Sequence, residues 1–288
     1  MVVCPQMKGA RRGKTLLLLG LTWLGLLGAA QAAEAANLLY HGGPVARSMT
    51  GVVVDWGAGV NSLYTNETTG DPGFLKYLSG ASGSTGGIGG VLAQYMDSTG
   101  HNAANVVSYG QQYPITPSAP NSTTTVYDSQ IQSELASQIQ AGHLPHPAGN
   151  GLQTIYLVLF PSGITQCIDS LTCSANAPDP ATQVFCAYHG NTTLSDSTNV
   201  LYAVLPDNTT GLMSTACGTA STLGNQTSFL SHEWYETATD PFGTTWYDTN
   251  GNEVGDLCNQ FMDTQGGWTI QREWSNVDRN CAGSESAY

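Results

Sequence analysis

Positive charge is what this sequence has least of: 8 of its 288 residues are Lys or Arg, against 21 Asp and Glu. Four of the eight (Lys8, Arg11, Arg12 and Lys14) crowd the N-terminus. From residue 33 onward, Arg47, Lys76, Arg272 and Arg279 face all 21 acids, a balance of 4 − 21 = −17. A surface of that sign repels phosphate backbones and anionic headgroups, so neither nucleic acid nor a membrane is an expected partner. Long apolar runs are also scarce. The longest, Leu16–Leu27, is too short to span a bilayer as a helix. There is no paired C-x-x-C for a zinc ribbon, no G-x-S-x-G nucleophile elbow, no heptad and no internal repeat.

What is present at the N-terminus has the order of a secretory signal. Basic residues precede the apolar stretch, and Ala30-Gln31-Ala32 supplies a small-x-small cleavage site. Residues 1–32 are therefore expected to be removed and the chain to act outside the cell as a monomer. Residues 33–288 suffice for one large core. The Gly/Ser/Thr-rich segments 79–90 and 116–125 are too short to separate autonomous units, so a single secreted domain is expected. Without Cys4, six cysteines remain: Cys167, Cys173, Cys186, Cys217, Cys258 and Cys281. An even number in an exported chain predicts three disulfides, with fifteen possible pairings. Cys258 and Cys281 are expected to tether the tail. Five N-x-S/T sequons, beginning at Asn66, Asn121, Asn191, Asn208 and Asn225, matter only in a glycosylating host.

Short β-rich runs fall at Leu38–Tyr40, Gly51–Trp56, Asn105–Ser108, Thr154–Phe160 and Val200–Leu205. The run from Ile155 to Phe160 is continuously apolar, as a strand buried on both faces should be. Helical patterns lie at Gly90–Met96, at Asp128–Gly142 with Asp128 as N-cap and Gly142 as stop, and at Gln226–Ala238. The expected fold is α/β (α+β): one layered domain with a mixed sheet, stabilised by disulfides.

The third helix carries the chemistry. Leu230-Ser-His-Glu-Trp-Tyr-Glu236 is close to the H-E-x-x-H zinc pattern, with Glu236 in place of the second histidine. Residues four apart share a helix face, so His232 and Glu236 could grip one cation. Glu233, one step round, would take a proton from water activated by that cation. Asp240 continues the series, but eight helical residues rise about 12 Å, too far for ligands each about 2 Å from one ion. Asp240 is expected to cap the helix end, which Pro241 enforces. The third ligand must come from chain that folds back. Asn250-Gly251 marks a tight turn, expected as a hairpin tip, that returns Glu253 and Asp256 towards the helix. The bland alternative for His232 and Glu236 is an exposed, solvated helix pair. His41 and His189 have a structural alternative too, and His101, His143 and His146 look like loop residues.

Several segments resemble the EXORDIUM-like (phosphate-induced protein) family of secreted proteins. They are Tyr40-His-Gly-Gly-Pro-Val45, Val52-Val-Val-Asp-Trp56, Phe185-Cys-Ala-Tyr-His189, Asn199–Pro206 and Thr237-Ala-Thr-Asp-Pro-Phe-Gly243 with Trp246-Tyr247. The likeness spans about residues 38 to 281. Plant members carry no His-Glu pair here, whereas microbial relatives look like His-Glu-x-x-Glu followed by Glu-x-Gly-Asp-x-Cys, here Glu253–Cys258. That resemblance implies Asp256 as third ligand, with Glu253 as second choice or as an outer partner.

Two functions from different classes follow. The first is a zinc metallopeptidase with a zincin-like motif helix, metal ligands His232, Glu236 and Asp256, general base Glu233, and a peptide or protein substrate. Its cleft would run along the motif helix, walled by Val200–Leu205 and Phe185–His189, with His189 stabilising the oxyanion. The second is a non-catalytic, calcium-stabilised binding protein for cell-wall carbohydrate. Asp248, Asn250, Asn252, Glu253 and Asp256 offer oxygens to a hard cation, although the loop lacks the glycine and terminal glutamate of an EF-hand.

Overall fold

The apolar run at Ile155 lies in mid-sheet, as a strand without a polar face must. In the computed structural model, residues 2–3, 37–61, 73–81, 88–103, 108–174 and 183–283 are described. In chain order the first ten strands are β1 (Val2–Val3), β2 (Leu39–Tyr40), β3 (Thr50–Trp56), β4 (Ser108–Ile115), β5 (Thr125–Tyr127), β6 (Thr154–Leu159), β7 (Thr165–Cys167), β8 (Thr172–Ser174), β9 (Gln183–Thr193) and β10 (Asn199–Leu205). All of these except β2 form one nine-stranded mixed sheet in the order β4-β3-β6-β10-β9-β8-β7-β5, with β1 paired antiparallel to β9 through Val3 and Phe185. β4, β3, β6 and β10 run parallel, and β9 turns antiparallel against β10.

Alternation decides which side chains meet which layer. Ile155, Leu157 and Leu159 of β6, with Leu201, Ala203 and Leu205 of β10, enter one core. Tyr156, Val158, Val200, Tyr202 and Val204 enter the other. Burying each large aliphatic chain contributes about 1.5–3 kcal/mol, which makes the two-sided sheet the stable centre. Helix α1 is Phe74–Ala81, α2 is Asp128–Gln140, α3 is Met213–Ala216 and α4 is Thr222–Thr239. Ile131, Leu135 and Ile139 of α2 cover the second core, whereas Phe229, Leu230 and Trp234 of α4 cover the first. Gly51 allows this approach, because a Cβ there would stand 2.8 Å from the Trp234 ring.

Beyond α4 come the short strands β11 (Trp246–Tyr247), β12 (Met262–Gln265), β13 (Trp268–Gln271), β14 (Glu273–Ser275) and β15 (Asn280–Ala282). β12 pairs with β13 and β14 with β15, and β13 packs against α4. Disulfides join Cys167 to Cys173, Cys186 to Cys217 and Cys258 to Cys281, the last as expected. Three such bonds suit an oxidising, extracellular environment. No described helix is long and apolar enough to cross a membrane.

Several local expectations need correction. Asp128 is not the N-cap of α2. That position belongs to Tyr127, whose N–H donates to Gln130 Oε1, while Asp128 Oδ1 accepts from the hydroxyls of Tyr188 and Tyr202. The Gly90–Met96 segment is a 3-10 helix at Ile88–Gln94, as its glycines allow. Of the Asn105–Ser108 run, residues 105–107 lie outside the described residues, and the strand occupies Ser108–Ile115. Asn250-Gly251 does form a tight turn, with Gly251 at φ +83°, but it joins no hairpin because β11 pairs with β2.

Candidate metal centre

Helix α4 is polar in sequence yet buried along almost its whole length. Ser221 caps it by accepting from Gly224 N at 3.1 Å. The hydroxyls of Ser231, Thr237 and Thr239 bond back to helix carbonyls, so their burial leaves no orphan donor. Asp240 ends the helix as expected. Its Oδ1 accepts from the backbone N–H groups of Thr244 and Thr245, while Oδ2 is buried without a partner.

His232 and Glu236, one helical turn apart, are both wholly buried, so they are not a solvated pair. His232 Nε2 stands 2.9 Å from Glu236 Oε1, an ion pair across one helical turn. The far edge of the ring is fixed. The Gln271 side-chain amide lies 2.7 Å from Nδ1 and also donates to Gly255 O at 2.9 Å. Gly255 presses against the same edge, since a Cβ there would come 2.6 Å from Nδ1. Gly255→Ala is therefore expected to push the ring off its position and, if the cluster holds a divalent ion, to weaken that binding at least tenfold by titration, with near-UV dichroism unchanged. Undiminished affinity would show that ring placement is not limiting.

The Glu253–Cys258 loop folds onto the helix. Asp256 N donates to Glu236 Oε1 at 3.0 Å, and Asp256 Oδ1 lies 3.9 Å from His232 Nε2. The Cys258–Cys281 bond and the Trp274 N to Val254 O bond at 2.9 Å hold this loop. β9 delivers His189 from the sheet, where Ala203 lies opposite it in register. His189 Nε2 is 3.1 Å from Glu253 Oε2 and 3.7 Å from Glu236 Oε2. His189 and His232 thus flank one carboxylate. Among the described residues, His232-Glu233-Glu236 and His189-Glu236-Glu253 each place ligand atoms within 4.8 Å of one another. The side chains of His189, Glu253 and Asp256 retain 9–16% exposure, so solvent reaches the site from that side.

Electrostatics sort the carboxylates. Burial pushes Glu233 up to about 7, partly offset by the His232 imidazole. Burial also raises Glu253 and Asp256. For Glu236 the burial penalty is outweighed by His232, which holds it below the ordinary range. Burial alone would lower both histidines, but Glu253 beside His189 and Glu236 beside His232 push each to about 9. A raised value favours the folded state fully below the ordinary pKa, and that contribution is lost as pH rises through the folded one. Metal-free protein should therefore lose thermal stability between pH 6.5 and about 9, when Tm is followed in chelator. A Tm that rises across that window would contradict the imidazole assignments.

The acidic loop does not converge on one point. Asp248 Oδ1 accepts from the backbone N–H groups of Asn250 and Asn252, and Oδ2 from the Asn252 side chain at 2.9 Å. Glu253 and Asp256 face the helix instead. His41 stacks on Tyr247 at 3.6 Å, away from the cluster. His101, His143 and His146 bond to loop or helix-end neighbours. Sequence reasoning missed Gln271, which positions His232, and Glu273, which is wholly buried with neither oxygen partnered. Burial, reinforced by Glu236, Asp256 and Glu233, raises Glu273 well above the carboxylate range. Glu273 and Gln271 stand in or beside short strands of mixed polarity, where no spacing rule marks them.

Comparisons of the chain with protein-family models, curated proteins and solved structures found no match.

Proposed function

We propose that this chain is a secreted zinc-dependent metallopeptidase with a zincin-like motif helix, belonging to a microbial branch of EXORDIUM-like proteins. One observation carries the reading: His232, Glu233 and Glu236 bring ligand atoms within 4.8 Å of one another on one buried helix face, and both Glu233 oxygens there are buried without a hydrogen-bond partner. Such atoms are costly to bury unless a cation and a reacting proton account for them. His232, Glu236 and Asp256 would hold the ion, one nitrogen and two oxygens of the kind zinc accepts. Bound zinc would supply Lewis-acid polarisation of the scissile carbonyl and lower the pKa of water.

The remaining work falls to side chains of this protein. Glu233, poised near neutrality, takes the proton of the attacking water and returns it to the leaving amine. His189, kept protonated by its carboxylate neighbours, donates towards the developing oxyanion. An extended segment already pairs antiparallel along Phe185–Ala187 of β9, two residues from His189. Loss of residues 1–32 leaves that edge open to a substrate strand, held through main-chain hydrogen bonds.

Zinc-loaded protein is expected to cleave a denatured protein substrate, with new termini found by mass spectrometry. A chelator should stop cleavage and added zinc restore it. Absence of cleavage, or purified protein that retains calcium and binds no transition metal, would overturn the reading.

A further inference from the structure

Glu236 is shared by two ligand groups, and its two oxygens divide between them. Oε1 faces His232 at 2.9 Å, with Asp256 Oδ1 3.9 Å from the same imidazole nitrogen. Oε2 faces His189 at 3.7 Å, with Glu253 Oε2 3.1 Å from that second nitrogen. Ligand atoms that each stand about 2.0–2.2 Å from one zinc ion lie roughly 3–3.7 Å apart. His189 Nε2 meets that spacing to both Glu253 and Glu236, and all three ligand atoms lie within 4.8 Å of one another without help from His232. The two histidines do not fall into one triad.

Charge points the same way. Glu233, Glu253, Asp256 and Glu273 crowd the space around Glu236, and the two imidazoles are outnumbered. One divalent ion at His232 would leave Glu253 to His189 alone, with Glu253 Oε1 buried and unpartnered. Burying an uncompensated carboxylate is expensive, and a second cation removes that cost.

We propose that the site is dinuclear: a second divalent cation binds at His189 and Glu253, and the Glu236 carboxylate bridges it to the ion at His232. A carboxylate bridge suits ions on the order of 3.5–4 Å apart, the separation found in two-metal hydrolytic sites. In this arrangement His189 is a ligand, and the second ion takes over the electrostatic stabilisation assigned above to its imidazolium. The inference rests on the peptidase reading only for the first ion.

Metal content of the purified full chain, measured by elemental analysis after zinc loading and desalting, tests it. Wild type is expected to hold two ions per chain, His189→Ala and Glu253→Gln one each. Glu253→Gln serves as the milder variant if His189→Ala fails to fold, since Glu253 is partly exposed. Manganese-loaded wild type should give an exchange-coupled paramagnetic resonance spectrum, and Glu253→Gln the spectrum of an isolated ion. One ion in wild type and in both variants would overturn the second site and leave the peptidase reading standing. No ion in wild type would overturn both. Two ions retained in the variants, or uncoupled manganese in wild type, would place the second ion elsewhere and sink the proposal.

Discussion

Glu233→Gln is expected to reduce kcat/KM against a protein substrate by about 10²–10⁴-fold, the usual contribution of a positioned general base. The exchange preserves shape and removes only the capacity to take a proton. Glu233 is wholly buried with neither oxygen hydrogen-bonded, so the amide disturbs no existing contact. The effect should fall on kcat, and the limb of the pH profile near 7 should vanish with the carboxylate. Metal content decides between two roles. Glu233 lies within ligand distance of His232 and Glu236. If zinc is retained, the residue acts on the proton; if zinc is lost, Glu233 is a ligand and the base must be sought elsewhere.

His232→Ala is expected to abolish activity and to uncouple stability from metal. At zinc concentrations 100-fold above Kd, binding to the folded state alone contributes about 2.7 kcal/mol. For a chain of this size that amounts to about 5–10 °C in Tm, at roughly 2–4 °C per kcal/mol. Chelation should lower the wild-type Tm by that amount and leave His232→Ala much less affected, because the nitrogen at the centre of the first ligand set is gone. A variant whose Tm still responds to chelator as wild type does would remove His232 from the ligands. Calorimetric or dye-based melting resolves such a shift.

The parts of the fold written in long apolar runs were legible. Val52–Val54, Ile155–Leu159 and Val200–Leu205 each carry enough β-branched and aliphatic residues to specify a buried strand on their own. Helix α4 was legible through its motif more than its periodicity, since it is buried on all sides and has no polar face to mark a period. The eight-residue α1, which contains Gly80, carries no readable helical signal, because a helix so short offers barely two turns of pattern. The C-terminal hairpins carried one clear signal that went unused. Gly266-Gly267 lies between Gln265 and Trp268, and both glycines take positive φ, as a two-residue hairpin turn requires.

The candidate centre divides along the same line. His232, Glu233 and Glu236 lie on one helix, where spacing alone reports geometry. That Glu253 and Asp256 would return to the helix was readable from the turn at Gly251. Which imidazole each would face was not, because it depends on β9 bringing His189 across from the sheet. Gln271 and Glu273 reach the cluster through hairpin pairing about 40 residues downstream, a distance over which sequence carries no local signal.

The Cys258–Cys281 bond gives the protein a safeguard for the cell that makes it. Cys258 closes the loop that carries Glu253 and Asp256, and the bond anchors that loop to the tail strand β15. In a reducing cytosol that covalent anchor is absent, and the loop is left to weaker ties such as Trp274 N to Val254 O and Asp256 N to Glu236 Oε1. Oxidation then adds the crosslink that fixes Glu253 and Asp256 beside His189 and His232. Under the proposed reading, hydrolytic power would be withheld at the ribosome and granted on the far side of the membrane, with a sulfur–sulfur bond as the latch.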